Sequence, residues 1–247
     1  IRVYRGAGGR NGKETAEAAH KLHESHGFTA FKTGPYMIDP DASRWGRVCS
    51  EAATYFEDIR KHTPHEWEFA FDPHAKIFEP IRALQLADAL APYDPMFYEE
   101  PLRPEHIPQW GRLRRQMRVP LATGESLFGR FEFLDLIAAQ GADIIQPDVC
   151  ICGGLLEMRK IAAIAEAHYV SVAPHNPMGP ISTAVNVHFA AASHNFTILE
   201  YYLPTDADWA DWVDEPYVPK DGYLEIRPDR PGLGIEVNEE AISGHDF

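Results

Sequence analysis

The chain has 247 residues, 45% of them apolar, and sets 23 Lys+Arg against 37 Asp+Glu for a formal charge of −14. That length is close to one (β/α)8 barrel and ample for a sizeable core. No basic stripe points to nucleic acid, and no apolar run approaches the ~18–20 residues of a membrane span.

The elements are read in chain order from short apolar runs that alternate with amphipathic stretches. Strands are expected at 1-IRVYRG-6, 29-TAFKTG-34, 68-EFAFDPH-74, 97-FYEEP-101, 120-PLATGE-125, 143-DIIQPDV-149, 171-SVAPHNP-177 and 198-ILEYY-202. Helical patterns lie between them, among them 13–27, 42–62, 81–91 and 155–168, with Gly27 at a natural helix C-cap. Near-continuous apolar strands suit a parallel sheet covered on both faces. Eight β-α alternations predict an α/β fold, a parallel (β/α) barrel, over residues 1–205. A doubly wound sheet would share the rhythm, but no G-x-G-x-x-G follows a strand. Residues 206–247, with Trp209, Trp212 and 227-RPDRPGLG-234, read as an extension with a hairpin.

Cys49, Cys150 and Cys152 form neither a disulfide framework nor a zinc knuckle. They fit reduced thiols in a cytoplasmic protein. No signal peptide is visible. The chain opens on Ile1 rather than Met, so a preceding segment of the gene product is expected.

In such a barrel, chemistry collects at the C-terminal ends of the strands. Strand three ends in Asp72 and His74, which strand alternation would place on one face. Pro73 between them suits the point where ladder pairing stops. Strand four ends in Glu99 and Glu100, and strand five in Glu125. Strand six carries Asp148 after Gln146, strand seven His175, and strand eight Glu200. From Asp72 the intervals are 27, 26, 23, 27 and 25 residues, each about one βα unit. Taken singly, a strand-end acid is more often a helix N-cap, and a His beside Pro a satisfied turn residue. Six coincidences at one repeat outweigh that. Converging carboxylates resist ionising together unless a cation joins them, and hard oxygen donors suit Mg²⁺.

The order Asp72, Glu99, Glu125, Asp148, His175, Glu200 resembles the mandelate racemase branch of the enolase superfamily. The motifs 72-DPH-74 and 174-PHNPMGP-180 look most like its galactonate dehydratase group of acid-sugar dehydratases. The resemblance implies a modified, (β/α)7β-like TIM-type barrel and one Mg²⁺ held by Asp72, Glu99 and Glu125. His175 would be the general base, oriented by Asp148. His74 would be the acid that helps a hydroxyl leave. Glu200, kept protonated, would donate a hydrogen bond to the developing enolate. Lys32 matches the first lysine of a Lys-x-Lys pair, and with Gln146 is a candidate substrate-binding residue. The implied reaction is Mg-dependent dehydration of an aldonic acid, such as galactonate or gluconate, to a 2-keto-3-deoxy acid. It would proceed by α-proton abstraction, enediolate stabilisation and β-hydroxyl loss.

Gly34 replaces the second lysine, which argues against racemisation. The family's N-terminal capping domain is absent from the sequence, and residues 206–247 resemble the segment that packs against it. An epimerase or cycloisomerase is the alternative within the fold. A zinc hydrolase lacks its usual His-x-His pair, and a binding barrel with a vestigial site does not explain the complete carboxylate set. A small acid sugar is the expected partner, and a homo-oligomer the default assembly.

Overall fold

In the computed structural model, which describes residues 1–206 and 209–243, eight short strands run parallel. They are β1 (Val3–Gly6), β2 (Ala30–Thr33), β3 (Glu68–Phe71), β4 (Tyr98–Glu99), β5 (Leu121–Thr123), β6 (Ile144–Ile145), β7 (Ser171–Val172) and β8 (Leu199–Glu200). They pair in the order β7-β6-β5-β4-β3-β2-β1-β8. The remaining seam is closed by a parallel bridge between Val172 and Phe196. There Val172 N–H donates to the Asn195 carbonyl at 2.8 Å, and Thr197 N–H to the Val172 carbonyl at 2.9 Å. The sheet is the parallel barrel that the sequence predicts.

Helices α1 (Gly12–His26), α2 (Trp45–Lys61), α3 (Pro80–Leu90), α4 (Ile107–Arg114), α5 (Gly129–Ala138), α6 (Leu155–Ala167) and α7 (Pro180–Ala191) join successive strands. Among the described residues only the one-turn α8 (Glu239–Ile242) lies beyond β8 in α-helical form, so the barrel is of the (β/α)7β kind. Asn11 caps α1 by accepting from Glu14 N–H. Gly27 ends it in the left-handed region at φ 74°. A side chain there would also meet Asp221, whose Cα would lie 2.3 Å from the added Cβ. Helix α7 is buried around most of its circumference, which erases the amphipathic stripe that marks α1 or α2 in sequence.

The strands are shorter than the sequence suggests. Ladder pairing stops at Phe71, Glu99, Thr123, Ile145, Val172 and Glu200, before or at the polar residues assigned to strand ends. Four prolines explain much of the difference. Pro73, Pro101, Pro147 and Pro174 follow β3, β4, β6 and β7 and bring no N–H to the ladder. Asp72 and His74 therefore meet across a turn rather than along a pleat. His74 is left-handed at φ 53°, and its N–H donates to Asp72 Oδ1 at 2.7 Å.

The core has two compartments. The larger lies between the strands and the helices. The smaller fills the barrel lumen with Tyr4, Ala30, Ala70, Phe97, Ala122, Ala173 and Ile198, flanked by Ile144. Four alanines leave room for the Tyr4 and Phe97 rings, which meet edge to face at 5.7 Å. The lumen is a packed floor, not a pore.

After β8 the chain crosses the opposite, N-terminal end of the barrel. Leu224 N–H donates to the Ile1 carbonyl at 2.8 Å, and Gly222 N–H to the His26 carbonyl at 2.8 Å. Val213 then bridges Val237 in antiparallel fashion. Residues 207–208 and 244–247 of the predicted extension lie outside the described residues. Among the described residues no helix is long and apolar enough to cross a membrane. All three cysteines are free, with Cys150 exposed.

The Tyr55 hydroxyl ties α1, β2 and α2 together. It lies 2.8 Å from Thr15 Oγ1 and 2.7 Å from Thr33 Oγ1, all buried. Tyr55→Phe strands two buried hydroxyls and is expected to cost about 2 kcal/mol. Thermal denaturation should show a melting temperature lower by roughly 4–8 °C. An unchanged melting temperature would mean that the threonines satisfy each other without Tyr55.

Candidate active site

One step of strand alternation carries the lumen floor into a polar layer. Two residues beyond Ala30 stands Lys32. Two beyond Ala70, Phe97, Ile144, Ala173 and Ile198 stand Asp72, Glu99, Gln146, His175 and Glu200. Lys32, Asp72, Glu99, Gln146 and Glu200 are all buried. Strand β5 breaks the pattern, because Gly124 occupies the equivalent place at φ 123°. Glu125 follows it and is partly exposed.

Lys32 sits at the centre of this layer. Its Nζ lies 2.6 Å from Glu99 Oε1, 2.7 Å from Glu200 Oε1 and 3.3 Å from Asp72 Oδ2. Burial disfavours the ammonium, but Glu99 and Glu200 outweigh it and raise the Lys32 pKa well above its usual value. Burial pushes Glu99 up to about 7, against Lys32 and with help from Asp72 and Glu200. Burial also raises Glu200, but Lys32, His175 and Asn176 N–H outweigh it and hold this carboxyl below its usual value. The sequence expectation of a protonated Glu200 is corrected here: the adjacent ammonium keeps it a carboxylate.

His175 Nδ1 lies 2.8 Å from Asp148 Oδ2. Its Nε2 faces inward, 3.8 Å from Glu125 Oε2 and 3.8 Å from Glu200 Oε2. Burial opposes protonation of the imidazole, but the Asp148 hydrogen bond and the two glutamates push it up to about 9. Neutralising Glu125 with a bound cation would relieve part of that field and bring the imidazole toward its ordinary range. On the other side of the layer, His74 Nε2 lies 3.0 Å from Asp72 Oδ2. That contact raises the His74 pKa against burial.

Gln146 is fully buried, and neither end of its amide meets a hydrogen-bond partner among the described residues. Lys32 is engaged by carboxylates rather than open to the mouth. Two further residues emerge that the sequence reading did not single out as functional. Asn176 donates its N–H to Glu200 Oε2 at 3.0 Å, and its amide joins Ser182, Thr183 and Asn186 in a buried network. Glu100 turns away from Glu99 because its backbone is left-handed, at φ 38°. Its Oε2 accepts from the Thr123 hydroxyl and from Gly124 N–H. It thereby braces the turn that presents Glu125. Adjacency to Glu99 and His175 was the only sequence signal for either residue.

The residues suit a divalent cation in chemistry. Asp72, Glu99 and Glu125 supply hard carboxylate oxygens. Glu99 Oε2 and Asp72 Oδ2 are buried without a directed hydrogen bond, although Asp72 Oδ2 is within ion-pair reach of Lys32 and His74. Among the described residues, no three His, Cys, Asp or Glu side chains are gathered around one point as they stand. Two of the carboxylates are turned onto Lys32 and the third toward His175.

Comparison with known proteins agrees with this geometry. D-galactonate dehydratases of Pectobacterium atrosepticum and Ralstonia nicotianae are 34% and 35% identical, over 98% of this chain and 64% of each relative. The chain thus spans just under two thirds of the curated relatives it matches. An enolase from Agrobacterium radiobacter, provisionally named a galactarate dehydratase and bound to Na and L-malate, is 50% identical with a TM-score of 0.95. It is covered over 66% of its length by 100% of this chain. A mandelate racemase/muconate lactonizing enzyme-like protein from Rubrobacter xylanophilus is 29% identical with a TM-score of 0.86, over 100% of this chain and 68% of that one. The family model described as enolase C-terminal domain-like matches residues 14–241. With the barrel, its polar layer and this match in agreement, the chain belongs to the enolase C-terminal domain-like family.

Proposed function

We propose that this chain is the catalytic barrel of a Mg²⁺-dependent hydro-lyase that dehydrates an acid sugar to a 2-keto-3-deoxy acid. The observation that carries the reading is a pair of histidines flanking one carboxylate layer. His175 is tied to Asp148 and His74 to Asp72. The names of the galactonate dehydratase relatives support the same class.

Asp72, Glu99 and Glu125 would hold the metal. When bound, Mg²⁺ supplies electrostatic stabilisation of negative charge that builds on the substrate carboxylate. The other steps belong to side chains. His175 Nε2 accepts the proton from the carbon next to that carboxylate. Asp148 fixes the tautomer with the proton on Nδ1 and favours the imidazolium that forms. The electron pair released from the C–H bond is first held as negative charge on the substrate carboxylate, and it then forms a carbon–carbon double bond as the β C–O bond breaks. His74 gives a proton to the departing oxygen, so water leaves. The enol that remains tautomerises to the keto acid. The contact with Asp72 favours the protonated form of His74.

A second substrate reading has its own support. The 50% identical Agrobacterium protein carries the name of a dehydratase for a dicarboxylic sugar acid and was solved with L-malate, a dicarboxylate. Aldaric acids therefore stand beside aldonic acids as substrates. An epimerase or cycloisomerase is less favoured, because Gly34 brings no base.

A panel of aldonic and aldaric acids, incubated with the complete gene product and Mg²⁺, should yield a 2-keto-3-deoxy product from at least one member. EDTA should abolish it. A new stereoisomer or lactone in its place would replace dehydration with the alternative chemistry. His175→Asn is expected to lower turnover by at least about 10²–10⁴-fold with little change in melting temperature. In His74→Asn, α-proton exchange into deuterated solvent should persist while water loss stops. Normal dehydration by that variant would remove His74 from its role.

A further inference from the structure

The proton transfers above leave Lys32 without a task. Lys32 is buried, and its ammonium bonds Glu99 and Glu200 at 2.6 and 2.7 Å with Asp72 at 3.3 Å. Two of those three carboxylates are the ones assigned to the metal. Glu200 is not. Glu125, the third assigned carboxylate, is turned instead toward His175. The acids as they stand are organised around an ammonium, and no three of them, among the described residues, share a coordination point.

We propose that Lys32 is the resident counter-cation of the metal-free barrel, and that divalent cation binding is an exchange against it. The inference rests on the reading that Asp72, Glu99 and Glu125 hold the cation. Carboxylates buried without a partner charge destabilise a fold strongly, so the ammonium keeps the empty layer folded. The same ammonium bonds the Glu99 oxygen and lies within ion-pair reach of the Asp72 oxygen. A cation that takes those two acids competes with the ammonium for their charge, and it must tolerate that like charge nearby. Lys32 thus stabilises the metal-free protein and weakens metal affinity. A lysine that merely braces the ligands would do the first and not the second.

The test compares the full-length wild type, Lys32→Met and Lys32→Arg. Melting temperatures are read in EDTA and in Mg²⁺, and Mg²⁺ alone is titrated calorimetrically. Stripped Lys32→Met is expected to melt roughly 6–20 °C below stripped wild type, with most of the loss restored by Mg²⁺. Its Mg²⁺ Kd is expected to be about tenfold tighter or more. Lys32→Arg, which keeps the charge, should stay near wild type in both readouts. If Lys32→Met unfolds on stripping, its affinity is read from the free Mg²⁺ needed to hold it half-folded. Equal or weaker Mg²⁺ binding by Lys32→Met would overturn the exchange while leaving the metal assignment intact. Absence of Mg²⁺ binding in every variant, wild type included, would overturn the assignment and the exchange together.

Discussion

The buried charge above the lumen floor is what the rest of the molecule must accommodate. Asp72, Glu99 and Glu200 are all but inaccessible to water, and an isolated carboxylate in such a place would shed its charge by taking up a proton. The barrel answers with one ammonium at their centre and two imidazoles at their edges. The pKa directions follow from that arrangement. Glu99, fully buried and pressed by two other acids, rises to about 7. Glu200, between Lys32 and His175, falls. The same field that organises the layer also sets which groups carry protons.

Strand alternation converts packing into chemistry. The alanines of β2, β3 and the β7 end do not merely fill space. Their small side chains let the strands approach while Tyr4 and Phe97 plug the lumen, and on six strands, all but β1 and β5, the next inward residue is polar. The floor excludes water from below. The ladder stops at or near the polar layer, where prolines and left-handed residues free the side chains to aim inward. Glu100 illustrates the economy of this device. A single positive φ separates two adjacent glutamates, so that Glu99 faces the layer and Glu100 anchors the Glu125 turn.

Much of this was legible in the sequence, and the reason is periodicity. Strand-end acids recurring at about one βα unit need no three-dimensional knowledge to be noticed. The His175–Asp148 contact was implied by the family resemblance rather than by the repeat itself, and the structure has it at 2.8 Å. Strand lengths were not legible, because apolar pattern continues through residues such as Val149 that no longer pair. Helix α7 left no stripe because it is buried nearly all round. The role of Asn176 was hidden for a different reason. Its partners Ser182, Thr183 and Asn186 are small polar residues on a following helix, and nothing in their types distinguishes a buried network from an exposed surface. Glu200 shows the limit of reading residues one at a time. Burial and neighbouring acids suggested protonation, and the placement of Lys32 at 2.7 Å, with His175 and Asn176 N–H, reverses the sign.

The two histidines differ in a way that matches the demands of their proposed tasks. His175 is 15% exposed in its side chain. Asp148 grips its ring, and the Asn176 network anchors the loop immediately after it. Taking a proton from carbon needs a base held close to one approach line, and this imidazole has little freedom to leave it. His74 is 63% exposed and stands on a tandem left-handed turn with Ala75. Its fixed contact is with Asp72, which governs its charge more than its reach. Giving a proton to a departing oxygen tolerates a wider range of positions than abstraction from carbon. On the proposed roles, a rigid base and a looser acid would divide the chemistry so that carbon–hydrogen cleavage is the step this barrel constrains most, while the departing group would meet a side chain able to follow it.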